Sequence, residues 1–457
     1  MFEKELIIFR ALCFGVSFVF FLFPKISRAE NQTSFKPVEI AQRFEKLEGR
    51  IVELENQLAD QSRRHAQEIT ALKETLEIKD SGKRSVYLPP SKEEGPKWLE
   101  GLSMGGDLRL RYEGINQNEA TRDRNRFRYR FRWKIQKALN KDVDLGFRIV
   151  SGSSNDPTAT NQTFTGDFNY KDIFLDQAYV KYHPAFLTEN ISHLTKAEFG
   201  GGKVENPFFE TSGGLLWDSD VMPEGFYESL GFGFFEKKLN PFVTLGQFIL
   251  QESATTTDAE LYALQSGVRW VPPGFEKESG VQLTHAIGFY DFSDYAADSN
   301  FTISGTSLAR GNTALGSTNL AAEDFDILQI YNDVKFKVGS LPAKLFADYF
   351  TNLADHTPDP DNRNDGYQYG IKLGDAKKKG SWEASYYYGY IEANALVGAF
   401  AESDFGTGHA NKRGSVVKLG YKLTDFLKLS FGGAFANNVT GADDETRRFQ
   451  SDLEWIF

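Results

Sequence analysis

The segment RNRFRYRFRWKI (124–135) alternates almost without a break between cations and large apolar side chains. Phe127, Tyr129, Phe131, Trp133 and Ile135 fall on one face of a strand, and Arg126, Arg128, Arg130, Arg132 and Lys134 on the other. A helix, with its period of about 3.6 residues, cannot sort these residues into two faces. The strand must therefore separate an apolar medium from one that hydrates cations. If the apolar medium is hydrocarbon, the opposite register would place four arginines in it, each at roughly 2–4 kcal/mol near the midplane. The rings must then face outward and the arginines inward.

The flanking segments repeat the pattern. Leu108, Leu110 and Tyr112 oppose Arg109, Arg111 and Glu113, and Leu145, Phe147 and Ile149 oppose Asp144 and Arg148. Three consecutive strands then build one wall from Arg109, Arg111, Arg126, Arg128, Arg130, Arg132 and Arg148. Two readings stay open for it. It is a structural ladder in which each arginine meets a carboxylate or water, or an electrostatic surface that concentrates anions. The two are compatible.

The same period runs to the end of the chain, where Phe449, Leu453 and Trp455 alternate with Gln450, Asp452 and Glu454 before Phe457. A last strand ending on Phe resembles those of bacterial outer-membrane barrels, in which the terminal aromatic is read by the barrel assembly machinery. Strands are predicted near 105–115, 126–136, 143–150, 173–183, 195–204, 226–238, 242–252, 261–271, 280–290, 326–337, 343–352, 366–374, 381–391, 414–423, 426–436 and 447–457. The connections alternate between short ones (Ala138–Asp142, Leu239–Pro241, Gly339–Pro342, Asp375–Gly380, Thr424–Asp425) and long ones (151–172, 205–225, 291–325, 353–365, 392–413). Short periplasmic turns and longer external loops are the signature of a membrane barrel. The 41 Gly, 40 Phe and 19 Tyr suit tight turns and interfacial aromatic girdles. The expected fold is all-β and transmembrane: a sixteen-stranded antiparallel up-and-down β-barrel over 101–457, preceded by an N-terminal α-helical coiled coil.

Lys4 and Arg10 precede the apolar run 11–23, and Ser27, Arg28 and Ala29 follow, so residues 1–29 read as a secretory signal. About 13 apolar residues are short for a span, which needs about 20. Cys13 lies within that segment, which leaves the processed chain without a thiol for a disulfide or a metal. Within 30–80, Ile40, Phe44, Leu47, Ile51, Leu54 and Leu58 recur at spacings of four and three, with Arg43 and Arg50 at g positions and Glu48 and Glu55 at e positions. Ile69, Leu72 and Leu76 resume the seam after a stutter. A periplasmic coiled coil that assembles a homotrimer is expected, with a linker over 81–100. The alternative is a lone amphipathic helix. A coiled coil of this length could also reach toward the cell wall and make the barrel a tether.

The connection 204–226 carries Glu205, Glu210, Asp218, Asp220 and Glu224 together with Phe208, Phe209, Leu215, Leu216 and Trp217. So much apolar surface favours folding inward, where the acids could face the arginine wall. It is the third external loop, the one that narrows the pore of sixteen-stranded porins. An ordinary surface loop, or a subunit contact, is the competing reading.

The runs GGDLRLRYE (105–113), NRFRYRFR, FRIVSGSSNDPTATNQTF (147–164), LDQAYVKY (175–182) and GGKVENPF (201–208) resemble the putative porin family of Gram-negative outer membranes. The resemblance is carried by the first third of the barrel. It implies passive diffusion of ions and small hydrophilic solutes through a water-filled trimeric barrel in outer-membrane lipid, without a cofactor. It supplies no selectivity residues. The Pro-Glu-Phe-Gly-Gly stretch of general porins has only Pro223, Glu224, Gly225 and Phe226 in its place. The arginine wall also resembles that of anion-selective porins in charge type.

Other chemistry is weaker. A barrel-embedded hydrolase would need Ser, His and acid groups at the rim, but among His183, His193, His285, His356 and His409 none has a Ser two residues away in an exposed strand end, and His183 and His193 flank a periplasmic turn. His285 shares a face with Leu283 and Ile287, which points it toward lipid. Asp355, Asp359, Asp361 and Asp365 crowd one loop, but Arg363 occupies a position where an EF-type calcium loop needs a ligand, so no metal is expected. The net charge of −11 argues against a nucleic-acid partner.

Overall fold

A computed structural model describes residues 99–457 apart from 119, 121, 155, 209–213, 256, 276–279, 296–309, 314–323, 355–362 and 443. The signal, the heptads and most of the linker lie outside the described residues. Sixteen long strands follow one another: β1 Leu102–Gln117, β2 Arg124–Ala138, β3 Val143–Val150, β4 Phe174–Tyr182, β5 Leu194–Lys203, β6 Glu224–Phe232, β7 Leu239–Gln251, β8 Ala259–Trp270, β9 Gln282–Ser293, β10 Asp326–Val338, β11 Leu341–Asn352, β12 Asp365–Gly374, β13 Trp382–Ile391, β14 Lys412–Lys422, β15 Leu427–Asn438 and β16 Thr446–Ile456. Each pairs antiparallel with its neighbours in sequence, and β1 pairs with β16 from Asp107↔Ile456 to Gln117↔Thr446, so the sheet closes. Beyond Ile456, Phe457 and Gly106 exchange backbone hydrogen bonds of 2.8 and 3.1 Å.

Closure answers the backbone requirement of a membrane strand, which can leave no free edge in hydrocarbon. Among the described residues no helix is long and apolar enough to cross a membrane. The outward face carries the exposed rings and branched chains expected of a lipid-facing surface, Phe127 at 59 % exposure among them with Leu110, Ile287, Leu345, Leu419 and Phe431. His285 lies on this face, where its Nδ1 meets Asn332 Oδ1 at 2.9 Å.

Two local departures from the expected pattern have clear causes. The strand expected over 226–238 ends at Phe232, and the connection expected at Leu239–Pro241 is instead the turn 233–238. Phe235, Glu236 and Lys237 all take positive φ there (52°, 57° and 62°), a left-handed turn without the usual Gly or Asn signal. Pro241 belongs to β7, where it pairs only with Val268 of β8, so no ladder bond to β6 needs its missing N–H. The second departure is on β3, which stops opposite Arg132. Past that point Gln162–Thr163 from the β3–β4 loop pairs with Arg128 and Tyr129 and continues the wall.

Candidate functional site

Register fixes the lumen. Asp107, Arg109, Arg111 and Glu113 of β1 stand opposite Arg132, Arg130, Arg128 and Arg126 of β2, and Asp452 of β16 stands opposite Arg111. All share the inward face. Arg111 grips Asp452 in a bidentate pair, Nε–Oδ1 2.8 Å and Nη2–Oδ2 2.9 Å. Arg130 donates from Nε to Asp107 at 2.9 Å and from Nη2 to Glu454 at 2.5 Å, and Arg132 Nε reaches Asp107 Oδ1 at 2.7 Å. Arg126 bonds Glu113, with Arg128 3.7 Å from the same carboxylate. Arg109 lies 3.7 Å from Asp452 and donates to Asn161 Oδ1 at 2.7 Å. On β3, Arg148 bonds Asp176, a residue that a bulge in β4 brings to the inner side.

The wall is therefore an interleaved ladder of arginines and carboxylates. Arg448 of β16 extends it, with Nη1 3.1 Å from Asp404 Oδ1. The alternation that located the other arginines also puts Arg448 on the face of Gln450 and Asp452. With Glu454 on Arg130 and Asp220 on Arg132, the carboxylates Asp107, Glu113, Asp176, Asp404 and Asp452 make seven acids against eight guanidiniums, so the ladder itself carries little excess charge.

The β5–β6 loop (204–223) and the β13–β14 loop (392–411) leave the barrel eight strands apart, on opposite walls, and meet in the lumen. Asp218 N donates to Phe400 O at 2.8 Å, and Ser403 N donates to Asp218 Oδ2 at 2.8 Å. Trp217 is 2 % exposed and stacks on Phe400 and Phe292 at centroid distances of 6.1 and 6.0 Å, with Tyr290 edge-on at 5.5 Å. Phe208, Leu215, Leu396 and Phe405 join this core against inward-facing Phe248, Ile327, Phe350 and Ile391. Gly389 of β13 makes room for it, since a Cβ there would meet Leu215 Cδ1 at 2.7 Å and Phe405 Cζ at 3.1 Å. Asn312, from the β9–β10 loop, ties the second loop down through bonds of 2.6 and 2.7 Å to the carbonyls of Ala393 and Leu396.

The acids of the first loop have different fates. Asp220 reaches the ladder, 3.5 Å from Arg132 Nη1, and accepts from Thr160 N and Oγ1 at 3.1 Å. Glu205 is 3.9 Å from Lys134. Asp218 turns to the other loop, and burial followed by the nearby Glu402 and Asp220 pushes its carboxyl well above the usual range. Glu224 opens β6 and pairs with Lys203 at 2.6 Å on the outward side of the register. Glu210 lies outside the described residues. Asp404 of the second loop sits between Arg111 and Arg448; burial alone would raise its carboxyl, but the two guanidiniums hold it well below the ordinary value. The two loops thus form a bridge across the lumen. Its apolar flank faces β7–β13, and its acidic flank faces the arginine ladder. Cavities of about 1020 and 470 Å³ open beside it, the smaller lined by Arg124, Arg126, Arg128 and Arg448.

Among the described residues no group of His, Cys, Asp and Glu is arranged to hold a metal ion. Of the acidic loop considered for calcium, Asp355, Asp359 and Asp361 lie outside the described residues, and Asp365 accepts from Tyr349 Oη at 2.7 Å.

A closed barrel with an apolar exterior and a charged, loop-crossed interior is the architecture of an outer-membrane diffusion channel. The family model described as "Putative porin" matches residues 115–341 and 324–457, and the chain belongs to that family. No curated protein matches the sequence. Among solved structures the chain is similar to OprB of Pseudomonas putida at high pH (13 % identity, 79 % of this chain and 96 % of that one, TM-score 0.48). It is also similar to OmpF of Salmonella typhi in complex with daunomycin (11 %, 79 % and 99 %, 0.45) and to OmpT of Vibrio cholerae in trimer form (13 %, 78 % and 100 %, 0.43).

Proposed function

We propose that the barrel passes ions and small hydrophilic solutes passively, along a path on the ladder side of the bridge, with a modest preference for anions. The observation that carries this is the asymmetry of the lumen: the bridge packs its apolar flank against β7–β13 and turns polar groups toward Arg109, Arg111, Arg128 and Arg132. A solute there meets cations and carboxylates on both sides and exchanges hydration for polar contacts. Reversal potentials of the full chain in a planar bilayer under a salt gradient test the preference, and clear cation selectivity refutes it. Large unitary conductance steps are expected, and their absence would refute the channel itself.

The heptads of 30–80 support a homotrimer. Removing residues 30–80 should weaken trimers on native gels; an unchanged oligomer would end that reading.

A further inference from the structure

The excess positive charge of the lumen lies away from the arginine ladder. Lys335 of β10, Lys344 of β11 and Lys372 of β12 are direct cross-strand partners in one row, and Lys422 of β14 stands opposite Lys428 of β15. Register puts all five on the inward face, because Lys335 shares it with Tyr331 and Asp333, and Lys428 with Asp452 through Glu454 and Ser430. They cluster near the strand ends joined by the short turns 339–340, 375–381 and 423–426, the periplasmic end of such a barrel. With Lys337 they line a cavity of about 730 Å³.

Like charges directly opposed across a sheet are destabilising, and the local carboxylates answer only part of the row. Glu383 holds Lys372 at 3.0 Å and Lys428 at 2.6 Å, and Asp333 lies 3.7 Å from Lys344. Glu454, Asp375 and Asp425 also line the cavity; Glu454 is engaged by Arg130, and Asp375 lies 3.6 Å from Lys377, which lines it too. Among the described residues Lys335, Lys337 and Lys422 have no carboxylate partner. Lys422 is only 4 % exposed, yet it lines the cavity. Ammonium groups without a carboxylate partner, set beside a row of other cations, attract negative charge.

We propose that this cluster is a binding site for small multivalent oxyanions, phosphates or polycarboxylates, at the periplasmic mouth, and that it rather than the arginine ladder sets the preference among anions. This rests on the channel reading above. A multivalent oxyanion would bridge lysines from both rows at once, as a monovalent ion cannot. The ladder shares its carboxylates among its arginines nearly one for one, which leaves less charge there to bridge.

The test uses the full chain and pyrophosphate as the probe. In a planar bilayer, pyrophosphate added from the short-turn side should block chloride current. The triple variant Lys335→Gln/Lys337→Gln/Lys422→Gln, which relieves repulsion and should fold, should raise the half-blocking concentration at least about tenfold, the loss expected when charge-assisted contacts to an anion are removed. Lys238→Gln, in the β6–β7 turn, should leave it unchanged. Calorimetry in detergent should show pyrophosphate binding that the triple variant loses. Unaltered block in the triple variant, or no binding by the parent chain, overturns the proposal. Binding through these lysines by a barrel that passes no current upholds the site and overturns the channel.

Discussion

Trp217→Ala separates the bridge from the barrel. The indole is buried among Phe400, Phe292 and Tyr290, and it takes no part in the strand ladder. Truncating a buried Trp costs about 3–5 kcal/mol, transfer and cavity together. Here that cost falls on the docking of one loop on another. At about 1.4 kcal/mol per tenfold, the docked state should lose between roughly a hundredfold and a few thousandfold of its advantage over the undocked one. The remaining hydrogen bonds between the loops, Asp218 to Ser403 and to Phe400 and Glu402 N to Leu215 O, are worth about 0.5–3 kcal/mol each and, with the residual contacts of Leu215 and Phe405, are not expected to compensate fully. The variant should keep the heat-sensitive gel mobility of a folded barrel, become cleavable by protease within 204–223, and show larger and noisier unitary conductance. If the loop stays protected and the conductance is that of the parent, the bridge is not held by this core and the account of the lumen is wrong.

The bridge should also respond to pH. Asp218 binds its proton more tightly when buried than when exposed, so docking is most stable at acid pH and weakens as pH rises from about 3.9 through the raised value. Conductance noise should grow with pH in that window, and Asp218→Asn should flatten the dependence; a steeper one would contradict the assignment. Arg111→Ala leaves Asp452 and Asp404 without their shared cation and should cost about 3–5 kcal/mol in urea unfolding, much of it recovered when Asp452→Ala is added. Ile287→Arg, outward and mid-strand on β9, should cost about 2–4 kcal/mol in lipid vesicles. A neutral outcome would mean that this face does not meet hydrocarbon.

The strands and their faces were legible because a two-residue period survives in single segments such as 124–135, where a one-residue slip would be ruinous. What those residues touch was not. That Arg111 meets Asp452 depends on closure between strands more than 300 positions apart, which no local pattern encodes. The inward fold of 204–223 followed from its apolar content, and the same argument applied to Leu396, Val397, Phe400 and Phe405 would have found the second half of the bridge. Its small residues and glycines gave it the look of an ordinary long connection. The lysine rows were visible in period, but only register shows that Lys335, Lys344 and Lys372 stand side by side. The turn at 233–238 was misplaced because Pro241 marks a break in most contexts, and here it sits where a strand has a free edge.

The pairing of β1 with β16 constrains the order of assembly. The two strands that complete the cylinder are the most distant in sequence, so the ring closes only by paying the chain entropy of its largest circuit. Until then Leu102–Gln117 and Thr446–Ile456 each carry a row of unpaired amides. A nascent chain must keep those margins from one another's neighbours, and from other copies, until all sixteen staves are in hand.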